Sequence, residues 1–188
     1  IVVVGGGNTA MDSARVAIRL QNMNGIKPDT TVLYRRSEIE MPARRLEIEH
    51  AKEEGVKFDL LVKPEEFIAG EKGVVRKMRL SRCELGEADA SGRRRPVVIP
   101  GSGFEIECDQ AVIAIGLGAN KILTSVTPQL KTDKYGDVTV DPDTMATSSE
   151  GVFAGGDIVG GEGTVIEAMG MAKKAAKAMI EYMDKKAV

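Results

Sequence analysis

The apolar positions change period along the chain, and each change marks an element. IVVV, residues 1–4, is an unbroken apolar run and predicts a parallel strand covered on both faces. In MDSARVAIRLQ, Met11, Ala14, Ala17 and Ile18 recur at helical spacing, which predicts an amphipathic helix lying on a sheet. TTVLY predicts a second strand over Thr30–Tyr34. In EMPARRLEIEHAKEEG, Pro42 suits a first helical turn and Gly55 a helix stop, and VKFDLLV then predicts a third strand. From Pro64 to Glu107 the pattern shortens to EEFIAGEKG, VVRKMRLSRCEL, RRPVVIPGSG and FEIEC, an antiparallel meander whose charged tip is ADASGRRRP. DQAVIAIG returns to a buried strand, Gln110–Ile115, ending at Gly116. Strands and helices alternating in this way, then crossing through a meander to a central strand, predict an α/β fold: a three-layer Rossmann-like domain. Beyond Gly118 the chain is loop-rich until a short predicted strand at Val152–Ala154, the cluster Gly155, Gly156 and Asp157, and a helix from near Thr164.

Composition narrows the function without naming it. The 188 residues are 43% hydrophobic and 29% charged, as in an ordinary globular protein. A net charge of −2 argues against nucleic acid as the main partner. No apolar run approaches the twenty or so residues of a spanning helix, and IVVV is too short for a signal peptide. Cys83 and Cys108 form no CxxC pair and no metal-ligand cluster, which predicts reduced thiols, a cytoplasmic location and no metal. His50 lies in a charged helical stretch and is expected to be solvated.

GGGNTA fits a dinucleotide fingerprint, with Gly5 and Gly7 at the first two glycine positions and Ala10 at the third. The first glycine permits the tight turn, the second lets backbone approach a pyrophosphate, and the third small residue lets helix and strand pack closely. The following helix would aim its N-terminal amides and dipole at the phosphates. Placed between a buried strand and an amphipathic helix, the cluster predicts nucleotide binding.

Arg35 and Arg36 stand at the end of the second strand, where the adenosine ribose lies in such domains. An acidic residue there suits NAD, whereas guanidinium groups match a 2′-phosphate and predict NADPH. One charge-assisted hydrogen bond of roughly 1.5–3 kcal/mol corresponds to about a ten- to hundredfold preference. Ser37 offers a hydroxyl beside them. A solvated basic loop is the alternative, since Glu38 and Glu40 follow. Arg44 and Arg45, and the run Arg93–Arg95, are read as solvated charge. The connection QNMNGIKPDT is longer than usual and is read as a loop insertion. The nicotinamide end is expected near Gly116 and Leu117, at the carboxyl ends of the strands.

For the second glycine cluster the residues leave two readings open. Its small residues permit close approach to a ligand, and Asp157 can accept polyol hydroxyls. A turn and helix cap would use the same residues.

GGGNTAMD, VLYRRS with EMPA, GRRRPV, AIG and GVFAGGDIVGGEGTVIEA, in that order across almost the whole chain, resemble the small (beta) subunit of NADPH-dependent glutamate synthase and its relatives. These include subunits that pass electrons from NADPH to ferredoxin and the flavin half of dihydropyrimidine dehydrogenase. The resemblance implies an NADPH-binding domain, residues 1–116, inserted into an FAD-binding domain whose last segment is residues 117–188. It implies Gly5, Gly7, Asn8, Thr9 and Ala10 around the NADPH pyrophosphate and Arg35 and Arg36 at its 2′-phosphate. It also implies Gly156 and Asp157 at the flavin ribityl or pyrophosphate region, and Gly163, Thr164 and Val165 at the isoalloxazine edge. In such an enzyme hydride passes directly from NADPH to FAD, so no catalytic side chain is expected. The electrons then go to a glutamate synthase large subunit or another iron–sulfur or flavin protein. The FAD domain's own glycine fingerprint and the family's iron–sulfur cysteines are not in this sequence. The chain by itself is therefore expected to bind NADPH, to hold FAD weakly or not at all, and to lack turnover. A dinucleotide-binding module without turnover, and the matching part of an NADPH:ferredoxin-type reductase, remain the alternatives.

Overall fold

A computed structural model describes residues 1–89, 92–118, 120–161 and 163–186. Two residues of the charged hairpin tip, Ala90 and Ser91, and Glu162 of the second glycine cluster lie outside the described residues. The chain divides into two compact units, Ile1–Ile115 and Gly116–Val188.

In the first unit, β1 (Val2–Val4), β2 (Thr31–Tyr34), β3 (Lys57–Leu60) and β8 (Ala111–Ile113) form a parallel sheet in the order β3-β2-β1-β8. Alternation along these strands divides their side chains between two cores. Val3, Val32 and Tyr34 pack against Met11, Ala14 and Ile18 of α1 (Asn8–Met23) and against Ile48 and Ala51 of α2 (Arg45–Glu53). Val2, Val4 and Leu33 face the other way, onto Val62, Met78, Leu80 and Cys108. Both faces of the central strands β1 and β2 are thus covered, which is why these two read as continuous apolar runs. The strand expected to be buried and central, β8, instead lies at the edge of the sheet with Val112 and Ile113 exposed.

The covering on the second face is the meander: β4 (Val62–Ala69), β5 (Val75–Ala88), β6 (Arg94–Val98) and β7 (Phe104–Glu107), with β4, β6 and β7 each antiparallel to β5. The antiparallel meander is as expected, but β4 starts two residues before Pro64, at Val62, and β5 runs past Leu85 to Ala88 of the expected tip. The loop insertion after α1 is pinned from inside, because the Gln21 carboxamide oxygen accepts the Asp29 N–H at 3.1 Å and the Thr30 hydroxyl at 2.9 Å.

Three further departures from the sequence expectations have local causes. VKFDLLV is not one strand: Leu61, in the left-handed region at φ 56°, separates β3 from β4. Pro42 does not open α2, because Glu38–Glu40 form a separate 3-10 turn and the backbone is extended again at Met41. That extended segment buries Met41 and Ala43 before α2 starts at Arg45. The strand expected to reach Ile115 ends at Ile113, since its partner β1 stops at the glycine turn.

The second unit holds α3 (Lys121–Val126), α4 (Asp157–Gly160) and α5 (Val165–Lys186), joined by loops with isolated bridges. The strand expected at Val152–Ala154 is reduced to one bridge, Ala146 to Phe153. Phe153 meets the Tyr182 ring of α5 edge-on at 6.1 Å between centroids. Among the described residues no helix is long and apolar enough to cross a membrane.

Candidate functional site

Residues 5–7 link β1 to α1 at the carboxyl end of the parallel sheet, and residues 8–10 form the first turn of the helix. Gly5 donates its N–H to the Leu33 carbonyl at 3.0 Å and has φ 149°. A Cβ added there would lie 2.1 Å from the Ala114 carbonyl oxygen and 3.3 Å from the Ala10 Cβ, so the protein itself demands glycine. Ala10 is fully buried at that contact, where helix and strand pack closely. At Gly6, a Cβ would run into the Tyr34 ring at 2.6 Å.

Gly7 differs from both. As the N-cap of α1 it has φ −91° and ψ 177°, a conformation open to any residue. A Cβ there would find only Pro42 Cγ, at 4.0 Å. No side chain caps α1, and its first turn holds no acidic residue. Thr9 is exposed, its carbonyl accepting the Ser13 hydroxyl at 2.7 Å. The Asn8 side chain is engaged within the protein, where its oxygen accepts the Arg44 N–H at 2.8 Å, while the Gly6 carbonyl accepts the Ala43 N–H at 3.0 Å. Residues 42–44 therefore form a wall beside the glycine turn.

At the end of β2 the two arginines part company. Arg35 is exposed. Arg36 is 6% exposed, with Nε donating to the Arg94 carbonyl at 2.7 Å and Nη2 to the Asp89 carboxylate at 2.8 Å. Ser37 is also engaged, since its hydroxyl donates to Glu40 in a capping box that stabilises the 3-10 turn. A hydroxyl hydrogen given to Glu40 is not available to an anion. Arg45 pairs with Glu49 on the exposed face of α2. Tyr34, under Gly6, donates its phenol hydrogen to the Glu40 carbonyl at 2.8 Å.

Gly116 opens the second unit with φ 90°, a conformation that favours glycine. In this unit Gly156, Asp157, Gly163 and Thr164 line one cavity of about 140 Å³ together with Glu167 and Met171. Gly156 has φ 81° and donates its N–H to the Met171 sulfur at 3.2 Å. Asp157 starts α4 and accepts the Gly163 N–H at 3.4 Å. At the start of α5 the Glu167 carboxylate accepts the Thr164 N–H and hydroxyl, both at 2.7 Å, and these bonds hold it below the usual carboxylate range. Val165 is 78% exposed and lies outside the cavity lining. A larger cleft of about 720 Å³ in the first unit is lined by Ile1, Thr31, Asp59, Arg76 and Cys108 among others, and includes none of the predicted residues. Among the described residues no group of three His, Cys, Asp or Glu side chains is placed to hold a metal ion.

The sequence did not single out Tyr34, Asp89 or the Asn8–Arg44 tie. Tyr34 carries the only local signal, as the last apolar residue of TTVLY before the arginine pair. Asp89 and Arg36 are 53 positions apart and meet only once the meander has folded back.

The chain is 46% identical over 183 residues to the NADP(+)-dependent formate dehydrogenase subunit beta of Moorella thermoacetica, covering 97% of this chain and 25% of that one. It is 40% identical over 188 residues to the glutamate synthase (NADPH) small chain of Azospirillum brasilense, covering 100% of this chain and 38% of that one. Among solved structures, Lactococcus lactis thioredoxin reductase superposes with a TM-score of 0.74 at 20% identity, covering 98% of this chain and 52% of that one. Mycobacterium tuberculosis FprA in complex with NADPH gives 0.72 at 18% identity, with the same coverage of each chain. The chain thus spans about a quarter to two-fifths of the curated relatives it matches and about half of the solved chains. Its residues 1–176 match the pyridine nucleotide-disulphide oxidoreductase family, and the chain belongs to that family.

Proposed function

We propose that this chain forms the NADPH-binding part, and contributes a segment of the FAD-binding part, of an oxidoreductase subunit that takes electrons from NADPH and passes them to a partner protein. The observation that carries this is Gly7. Neither its backbone nor its protein neighbours require glycine, so the missing Cβ leaves room for something outside the chain. It sits at the uncapped start of α1, where a pyrophosphate is favoured by amides and dipole together. Gly5 and Ala10 hold the turn, Asn8 and Thr9 offer backbone, and Arg35 supplies an exposed cation for the 2′-phosphate. The relatives named for NADP(H) support the same cofactor.

When bound, NADPH supplies two electrons as hydride and FAD accepts them. The chain's own residues bind and orient, and none is needed as acid or base. In the second unit, Asp157 and Gly156 are suited to polyol hydroxyls, and Gly163, Thr164 and Val165 to the edge of a planar ring. The receiving partner is a glutamate synthase large subunit or another iron–sulfur or flavin protein.

The test is a titration of the protein with NADPH and NADH. NADPH is expected to bind tighter by about ten- to hundredfold, and equal affinities would overturn the assignment. A second reading, a dinucleotide-binding module without turnover, is favoured by one observation. The cavity in the second unit, about 140 Å³, is smaller than the roughly 300–1,000 Å³ of pockets that enclose a ligand. It fits the edge of a flavin and not the whole. Reconstitution with FAD decides between them, because a retained flavin band bleached by NADPH rules out the second reading.

A further inference from the structure

The turn between β5 and β6 is built around Asp89. Its N–H donates to the Arg93 carbonyl at 2.8 Å, its carbonyl accepts the Gly92 N–H at 2.9 Å, and Oδ1 accepts the Arg93 N–H at 3.3 Å. The same carboxylate reaches Arg36 through Oδ2 at 2.8 Å. Arg36 is fixed from its other side as well: its Nε holds the Arg94 carbonyl, and its own carbonyl accepts the Leu61 N–H at 3.2 Å. The Arg36 side chain is 7% exposed and that of Asp89 23%. A guanidinium so placed gives its Nε and Nη2 donors to the hairpin, and its charge is opposed by Asp89 where water screens least.

Two adjacent arginines in the sequence therefore deliver one net positive charge to the end of β2, that of Arg35. We propose that Arg36 is a neutralised anchor for the β5–β6 hairpin and not a phosphate ligand, and that Asp89 thereby sets how strongly the site selects a 2′-phosphate. This rests on the reading of Arg35 as the 2′-phosphate contact. In this role Asp89 is a positioning and specificity-determining residue, since it acts through Arg36 and touches no cofactor.

A charge cycle on the full chain tests it, using 2′,5′-ADP and 5′-AMP as probes and the ratio of their dissociation constants as readout. Asp89→Asn uncovers the Arg36 charge, so the preference for 2′,5′-ADP rises about three- to tenfold and steepens with falling salt. Arg36→Met removes the cation and keeps the carboxylate, and the preference falls by a similar factor. The double variant Arg36→Met/Asp89→Asn removes both charges and returns the ratio to within about twofold of the parent. If the double variant instead loses as much as Arg36→Met alone, Arg36 is a direct ligand and the proposal fails. An unchanged or lowered preference in Asp89→Asn overturns it too. Where a single variant does not fold, the uncharged double variant decides alone, by keeping or losing the parent ratio. Arg35→Ala is the separate control: if it leaves the ratio unchanged, the 2′-phosphate reading itself fails, whatever the cycle shows.

Discussion

The carboxamide oxygen of Asn8 accepts the backbone N–H of Arg44 at 2.8 Å, tying the first residue of α1 to the N-cap of α2. With the Gly6–Ala43 bond beside it, this fixes the wall next to the glycine turn. Asn8→Ala is expected to lower stability by about 0.5–1 kcal/mol, the net worth of an accessible hydrogen bond. It should weaken NADPH and NADH binding by the same factor, because the wall borders the proposed pyrophosphate site, which the two nucleotides share. Urea denaturation and paired titrations measure the two effects, and a change in the NADPH/NADH ratio would contradict the assignment.

Gly5→Ala and Gly7→Ala should separate fold from ligand. At Gly5 the new methyl meets a backbone carbonyl in a left-handed conformation, and a loss of more than about 2 kcal/mol of stability is expected. At Gly7 the methyl has room, so stability should fall by no more than about 1 kcal/mol, the cost of alanine at an N-cap. NADPH affinity in Gly7→Ala should nevertheless fall tenfold or more, about 1.4 kcal/mol. Full affinity in that variant would remove the case for a pyrophosphate there.

Tyr34 divides in a similar way. Tyr34→Phe keeps the ring beneath Gly6 and loses only the bond to the Glu40 carbonyl, at a cost of about 1 kcal/mol in stability. Cofactor affinity should stay within about twofold of the parent. Tyr34→Ala removes the support under the turn, and is expected to cost about 3–5 kcal/mol and to weaken binding of both nucleotides.

Acid should reach the α1–α2 contact through Glu54. Its carboxyl is held by Arg19 first and by Arg15, which lower its pKa to about 2, against an ordinary value of about 4.3. A carboxylate depressed in this way contributes stability that is complete above the ordinary value and is lost as pH falls toward about 2. Urea midpoints at about pH 5 and about pH 2.5 should therefore fall further for the parent than for Glu54→Gln. Equal slopes would show that these ion pairs leave the folding equilibrium untouched.

Much of the first unit was legible because its signals are local and repeated. Val2–Val4, the stripe of Met11, Ala14 and Ile18, and the four meander strands each state their element within a few residues. The boundaries that moved depend on partners distant in sequence. The last strand could not continue once β1 turned away at Gly5, and Pro42 was drawn out of a helix by the burial of Met41 and Ala43. The glycines were legible as a group, but not their division of labour, which depends on where Ala114, Tyr34 and Pro42 come to rest. The arginine pair was the hardest to read, since the carboxylate that distinguishes Arg36 from Arg35 arrives from the far side of the meander. In the second unit, glycines and aspartates serve turns and ligands equally well, and periodicity cannot separate the two uses.

A single residue, Leu61, carries the chain from the last parallel strand on this edge into the first meander strand. At this edge there is consequently no linker at which the two sheets can be parted. Among the described residues, Val2, Val4 and Leu33 are packed on that side against Val62, Met78 and Leu80 of the meander. A trimmed domain that spliced β3 directly to β8 would keep every glycine of the fingerprint, yet it would present a bare apolar sheet to water and aggregate before it could meet a nucleotide.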